Sequence, residues 1–101
     1  MAGVTHTAAF AYTGTTTASS TDTITLTGVR GGFQVTNTGA VNLTFRFDYG
    51  SAQTPAVVGA DSNYLVTAGQ TLTVSMEEPT IVFSITSGAT TCGYVLMASR
   101  G

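Results

Sequence analysis

The segment Asn42–Tyr49 reads NLTFRFDY, and its side chains alternate strictly between apolar and polar. Every odd position, from Leu43 to Tyr49, is apolar or aromatic, whereas the even positions hold Asn, Thr, Arg and Asp. Successive side chains of a β-strand point to opposite faces, so this alternation indicates a strand with one buried face. The segment therefore predicts an amphipathic strand.

The same period of two recurs along the chain, with Thr and Val at many positions because β-branched side chains suit a pleated surface. Three further segments show it strictly, namely Asp22–Val29 (DTITLTGV), Gln70–Met76 (QTLTVSM) and Thr80–Ser87 (TIVFSITS). Four show it more weakly, namely Thr5–Tyr12, Gly32–Asn37, Asn63–Thr67 and Thr91–Ser99. These patterns predict about eight short strands.

Two segments depart from simple alternation. In Thr91–Ser99 both faces are fairly apolar, which predicts burial on two sides. Thr13–Thr21 reads TGTTTASST, and this locally biased composition predicts a loop or an arm.

Turn residues separate the predicted strands, and no window of helical length shows an apolar stripe. The turns are Asn37-Thr38-Gly39, Ala68-Gly69-Gln70, Glu77-Glu78-Pro79 and Ser87-Gly88-Ala89. We therefore expect an all-β fold, a single β-sandwich or jelly-roll domain of short antiparallel strands over residues 1–101. Residues 1–21 are expected to form an N-terminal strand or arm and a Thr-rich loop.

Charge is unusually sparse, at 8% of residues against roughly 25% in typical domains. There is no Lys, the only cations are Arg30, Arg46 and Arg100, and the net charge is −2. Binding to nucleic acid or to an anionic membrane needs clustered cations, so we expect neither partner. The first eleven residues lack Lys, Arg and a continuous apolar run, so we expect no signal peptide and synthesis in a reducing cytoplasm.

The residues that carry catalysis or bind metals are few and scattered. His6 is the only histidine and Cys92 the only cysteine, so a catalytic triad has one candidate base and a zinc site lacks ligands. We interpret His6 as a surface residue and Cys92 as a buried, inert thiol. Asp61-Ser62-Asn63 resembles part of a calcium loop but lacks the remaining ligands. We expect no enzyme, no catalytic residue, no metal site and no cofactor.

The aromatic residues divide into two groups. Phe33, Phe45, Phe47 and Phe83 follow the alternating pattern and are expected in the core. Phe10, Tyr12, Tyr49 and Tyr64 lie near predicted strand ends or loops, and aromatic residues are enriched in protein interfaces. These four are our candidate interface residues.

The outward positions of the predicted strands carry Thr and Ser where soluble monomers usually carry charge. Sheet edges are normally protected by Lys, Pro or inward charges, and this chain has no Lys and only two Pro. Such a surface favours association with other subunits. The composition therefore predicts a structural protein built into an assembly, with a homo-oligomer as the expected form.

One part of the sequence resembles a known class of proteins. The segments Val35–Gly39 (VTNTG), Val66–Val74 (VTAGQTLTV) and Gly93–Ala98 (GYVLMA) are similar to small β-sandwich virion proteins of tailed bacteriophages, including capsid decoration (cement) proteins and related head or tail accessory proteins. The resemblance implies a protein of the virion, made in the host bacterial cytoplasm, that binds the major capsid protein or other virion proteins, often as a trimer, and stabilises the shell. Bacterial adhesive and immunoglobulin-like domains contain similar turns, and no functional residue is transferred.

Two other functions stay open at the level of sequence. One is a tail, fibre or head–tail connector component, which differs from decoration in copy number. The other is a carbohydrate- or receptor-binding module, which requires exposed aromatic side chains grouped around one set of loops, such as Tyr49 and Tyr64.

Overall fold

The computed structural model describes residues 3–48, 64–75 and 79–99, and these residues form nine strands and no helix. The strands are β1 (Thr5–Ala9), β2 (Ala11–Thr15), β3 (Asp22–Thr27), β4 (Gly32–Asn37), β5 (Leu43–Asp48), β6 (Tyr64–Val66), β7 (Thr71–Val74), β8 (Thr80–Thr86) and β9 (Gly93–Ser99). They form two sheets. Sheet one has the order β1-β3-β8-β5-β6, and sheet two has the order β2-β9-β4-β7.

Strands β2 to β9 pair as one long hairpin folded upon itself. The antiparallel pairs are nested, with β5 on β6, β4 on β7, β3 on β8 and β2 on β9. Two further antiparallel pairs, β4 with β9 and β5 with β8, join the nested pairs into sheets. This order is that of an eight-stranded jelly roll. The predicted all-β sandwich is therefore confirmed.

Strand β1 is additional to the jelly roll, and it pairs with β3 in parallel. The predicted strand Thr5–Tyr12 is broken at Phe10, which has a left-handed φ of 69°. The N–H of Phe10 donates to the carbonyl of Thr27 in sheet one at 2.9 Å, and its carbonyl accepts from the N–H of Ala98 in sheet two at 2.7 Å. One residue thus carries the chain from the first sheet to the second.

Gly28 makes room for this change of sheet. A Cβ atom at Gly28 would lie 2.4 Å from Cε1 of Phe10, so the aromatic ring occupies space that any other residue would fill. Gly28 itself has a φ of 78°, which glycine adopts without steric cost.

The core lies between the two sheets and contains the inward residues of both. Phe33, Phe45 and Phe83 are fully buried, and Phe47 is partly buried against them, as predicted. Phe33 meets the rings of Phe45, Phe47 and Phe83 edge to face, with centroids 4.8–6.1 Å apart. Edge-to-face pairs add about 0.5–1.5 kcal/mol each beyond the burial of area.

Two sequence-based expectations need correction. Thr13–Thr15 were expected in a loop, but they lie in β2 because their backbone groups pair with β9. Strand β9 was expected to be buried on both sides, but Met97 is 48% exposed. Strand β9 lies inside sheet two, so its edges are covered by β2 and β4 while its outward face stays open.

Candidate interaction surface

The described residues contain no cavity or cleft, and no group of three or more His, Cys, Asp or Glu side chains in them could hold a metal ion. Small-molecule sites are generally concave. The surface of the described residues consists of the outer faces and edges of the two sheets.

The described strand residues that form the outer face of sheet two include no charged side chain. On β2, β4, β7 and β9 the core residues Tyr12, Val35, Leu72 and Leu96 stand side by side, so their neighbours in sequence point outward. The outward side chains, here called the sheet-two face, are Ala11, Thr13, Thr15, Gln34, Thr36, Thr71, Thr73, Val95 and Met97. None of the nine is charged.

Hydroxyl and methyl groups dominate the sheet-two face. Thr36 and Thr71, which are paired across β4 and β7, share a hydrogen bond of 2.9 Å between their hydroxyls. Met97 and Val95 on β9 provide the apolar centre, flanked by Thr and Ala on β2 and by Gln and Thr on β4. Removing such a surface from water costs less than removing ionised groups.

The outer face of sheet one differs in both charge and exposure. It carries Arg46, and three of its hydroxyl residues, Thr44, Ser84 and Thr86, are only 3–5% exposed. Thr86 donates through its hydroxyl to the carbonyl of Ser20 at 3.0 Å, so the chain after β2 covers part of this face. None of the nine residues of the sheet-two face is buried to this degree.

The three candidate interface residues that the structure describes, Phe10, Tyr12 and Tyr64, do not form one patch. Tyr12 is half-buried between the sheets, with its ring 4.8 Å from the ring of His6 and 6.1 Å from that of Tyr94. It closes the gap between edge strands β1 and β2. Phe10, which is 45% exposed, lies at the corner between these same strands.

Tyr64 lies at the other side of the sandwich, on edge strand β6, and is 43% exposed. Its ring stacks on Phe45 and Phe47 with centroids 5.3 Å apart in both cases. One face of the ring therefore seals the core while part of the side chain meets solvent. Tyr49 lies outside the described residues, as do Asp61-Ser62-Asn63.

Cys92 is a buried, free thiol, as predicted from the sequence. Its N–H donates to the hydroxyl of Thr16 at 2.8 Å, and its thiol donates to the amide oxygen of Asn37 at 3.1 Å. Thr16 is 2% exposed and also shares a short hydrogen bond with the hydroxyl of Ser87. His6 is exposed on β1, and its ring lies against that of Tyr12.

Sequence reasoning missed a buried carboxylate. Asp22 is 1% exposed and accepts hydrogen bonds from the N–H of Val4 at 2.8 Å and from the N–H and hydroxyl of Thr17 at 3.2 and 2.8 Å. Burial raises the pKa of the Tyr94 hydroxyl, and the charge of Asp22 and the nearby Tyr12 raise it further. Asp22 binds backbone and hydroxyl groups, which marks it as structural.

No protein-family model matches the chain, and a sequence search of curated proteins finds no significant match. Among the described residues there is also no helix that could cross a bilayer. The character of the surface is thus the main guide to function.

Proposed function

We propose that the protein is a structural subunit of a virion, a capsid decoration protein that stabilises a phage shell by packing between shell subunits. The observation that carries this proposal is the sheet-two face, nine outward side chains on four adjacent strands without one charge. A freely soluble monomer normally carries both signs of charge on such a face. A protein whose partner is another protein surface does not need them.

The sheet-two face by itself is smaller than a stable protein interface, so the proposed subunit needs several contacts. Four strands at about 4.8 Å spacing and about 3.3 Å per residue along each strand give a face of only a few hundred Å². A stable interface buries roughly 800 Å² on each partner. The proposed subunit therefore also uses its edges, where Phe10 and Leu65 are exposed, so that each copy contacts both the shell and its own neighbours in a homo-oligomer, here taken as a trimer.

The fold agrees with this proposal by analogy alone. Jelly rolls build many viral capsid proteins, but they also build lectins and other proteins, and a fold does not determine a function. The resemblance of Val66–Val74 and Gly93–Ala98 to phage virion proteins is the second supporting observation.

Copy number in purified particles tests the assignment. The measurement is quantitative mass spectrometry of particles from the phage that encodes the chain, with the major capsid protein as the internal reference. Many copies per particle, lost when the shell is stripped of outer proteins, would support decoration. A few copies that remain with the tail would indicate a tail, fibre or connector component, and absence from particles would refute a virion role.

A pair of charge insertions tests the sheet-two face. Val95→Lys places a charge at its centre, and Thr25→Lys places the same charge at a half-buried outward position of sheet one. Val95→Lys is expected to abolish binding to shells that lack the protein, while Thr25→Lys retains it. Loss of binding by Thr25→Lys alone would assign the contact to sheet one.

A carbohydrate-binding module is the second candidate, and one observation favours it. Tyr64 presents a partly exposed ring that is held rigid by Phe45 and Phe47, as sugar-stacking residues often are. Glycan-array binding that disappears in Tyr64→Ala, with particle binding absent, would replace the decoration proposal with this one.

A further inference from the structure

Strand β1 can be removed from the jelly roll without breaking any of its strand pairs. The eight strands β2–β9 complete the nested pairs by themselves, and β1 pairs only with the outer edge of β3. No side chain of β1 is buried, since four of its five residues are exposed and Ala8 is half-buried. The segment before Phe10 is therefore held mainly by backbone hydrogen bonds.

The site that holds this segment belongs to β3. Its backbone pairs with five residues of β1 in register, from Thr5 opposite Thr23 to Ala9 opposite Thr27. Beyond that register, the buried carboxylate of Asp22 accepts from the N–H of Val4, and the carbonyl of Val4 accepts from the N–H of Thr23 at 2.7 Å. This set of groups recognises an extended backbone of defined direction, and it does not require that the backbone come from the same chain.

Phe10 is the joint between this segment and the jelly roll. Its φ of 69° lies in the left-handed region, which is unfavourable for a bulky non-glycine residue. The strain exists because the chain must turn at Phe10 to place β1 on sheet one and β2 on sheet two of the same molecule. If β1 extends away from the molecule, Phe10 is released from this conformation.

We propose that β1 is an exchangeable arm, which leaves its own β3 and pairs with β3 of a second copy of the chain. Every hydrogen bond between the arm and β3 is then remade between molecules, and the left-handed corner at each Phe10 is relieved. The loss of independent motion of the two copies opposes the exchange, so it grows with protein concentration. The exchange needs only this chain, so a failure of particle binding would leave the inference untouched.

Disulfide trapping between two variants, each with one introduced cysteine in addition to the buried Cys92, tests the exchange. Thr7 and Thr25 are opposite each other in the β1–β3 pair and point outward. Chains carrying Thr7→Cys are mixed with chains carrying Thr25→Cys, unfolded and refolded together, concentrated and oxidised. Only an arm on a foreign β3 brings these two thiols together, so a disulfide joining the two variants is expected, with a yield that rises with concentration.

A matched mixture controls for random collisions. Chains carrying Thr7→Cys are mixed with chains carrying Thr73→Cys. Thr73 is exposed like Thr7, but it lies on the sheet-two face, whereas β1 and β3 belong to sheet one. The expected yield of this mixed disulfide is at least about tenfold lower, while the buried Cys92 stays unreactive in both mixtures. Equal yields in the two mixtures, or no mixed disulfide at any concentration, would overturn the proposal.

The hinge is tested separately with Phe10→Gly and Phe10→Ala. Both remove the ring from Gly28, but only glycine adopts the left-handed corner without strain. When it is added to both cysteine variants of the Thr7→Cys and Thr25→Cys mixture, Phe10→Gly is therefore expected to give about tenfold less cross-linked product than Phe10→Ala. The reason is that an unstrained corner favours the form in which β1 pairs with its own β3. A Phe10→Gly yield equal to or above that of Phe10→Ala would refute Phe10 as the hinge.

Discussion

The amide oxygen of Asn37 accepts a hydrogen bond from the thiol of Cys92 at 3.1 Å, in the interior of the sandwich. Asn37 is completely buried at the end of β4, and the same oxygen also accepts from the N–H of Gly39 at 2.9 Å. Its amide nitrogen donates to the carbonyls of Val41 and Val66 at 2.7 and 2.9 Å. One side chain thus joins the turn after β4 to the end of β6 and to the start of β9.

We expect Asn37→Asp to destabilise the protein strongly. A carboxylate retains the shape of the amide but cannot donate, so the carbonyls of Val41 and Val66 lose their partner and a charge is buried. Each buried group left without a hydrogen bond costs about 1–3 kcal/mol, so a total loss of about 3 kcal/mol or more is expected from urea titration. Thr36→Ala is the control, because its hydroxyl bonds on the surface, and it should cost below about 1 kcal/mol.

Two glycines with positive φ allow the cost of backbone strain to be measured separately from the cost of a steric clash. At Gly69, with a φ of 79°, a Cβ atom would meet nothing within 4 Å, whereas at Gly32, with a φ of 118°, it would lie 1.9 Å from the carbonyl oxygen of Val74. Gly69→Ala should cost about 1 kcal/mol, which is the penalty for the left-handed region. Gly32→Ala should cost at least about 3 kcal/mol because β7 must move. Equal unfolding midpoints for the two variants would contradict this account.

Asp22→Asn is expected to loosen both segments that the carboxylate holds. An amide keeps one acceptor oxygen but places its NH₂ group against one of the donors from Val4 and Thr17. Hydrogen bonds to a charged group contribute about 1.5–3 kcal/mol, and we expect the free energy of unfolding to fall by this amount. Amide hydrogen exchange should accelerate more at Val4 and Thr17 than at Leu96, which lies inside sheet two and is expected to exchange only through global unfolding. A uniform acceleration at all three amides would argue against a local role for Asp22.

The raised pKa of Tyr94 predicts that the protein loses stability at alkaline pH. In the unfolded chain tyrosine ionises near its ordinary pKa of 10.0, whereas the folded protein keeps Tyr94 protonated to higher pH. Above about pH 10 the folded state therefore binds more protons than the unfolded state, and stability falls by up to about 1.4 kcal/mol per pH unit. Below pH 10 both states are protonated, so the Tyr94 hydroxyl contributes no slope.

Urea titrations of wild type and Tyr94→Phe between about pH 8 and 11.5 measure this effect. The Phe variant cannot ionise at this position, so its stability should decline less steeply above pH 10. Parallel curves for the two proteins across this range would show that Tyr94 is not responsible for the alkaline loss.

The strictly alternating segments were predictable from sequence, since β3, β5, β7 and β8 fall inside Asp22–Val29, Asn42–Tyr49, Gln70–Met76 and Thr80–Ser87. Each has one face in the core, and burial of one face imposes the period of two. The aromatic core was predictable for the same reason. Strand order was not, because pairs such as β2 with β9 depend on residues far apart in sequence.

The corner at Phe10 carries no local signal. Turns with positive φ usually contain Gly, Asn or Asp, whereas Thr5–Tyr12 contains none of these and reads as one strand. The room for the corner comes from Gly28, which is distant in sequence.

The residue types of the candidate surface were predictable from the sequence, but its position in the fold was not. Threonine in outward positions indicated a contact surface, yet only the pairing of β2, β9, β4 and β7 shows that nine uncharged residues lie together. Tyr12 and Tyr64 were chosen as interface residues because they lie near strand ends. The structure places both at openings between the sheets, where their rings also cover the core.

The position of β9 bears on how the protein is made. Strand β9 is the last of the described strands in chain order, and it lies between β2 and β4 in sheet two. On a ribosome, β2 and β4 emerge early but have no neighbour to join them until Gly93–Ser99 has been translated. Until then the apolar residues of these strands lack part of their final packing, and such transiently exposed surface is what chaperones bind in nascent chains.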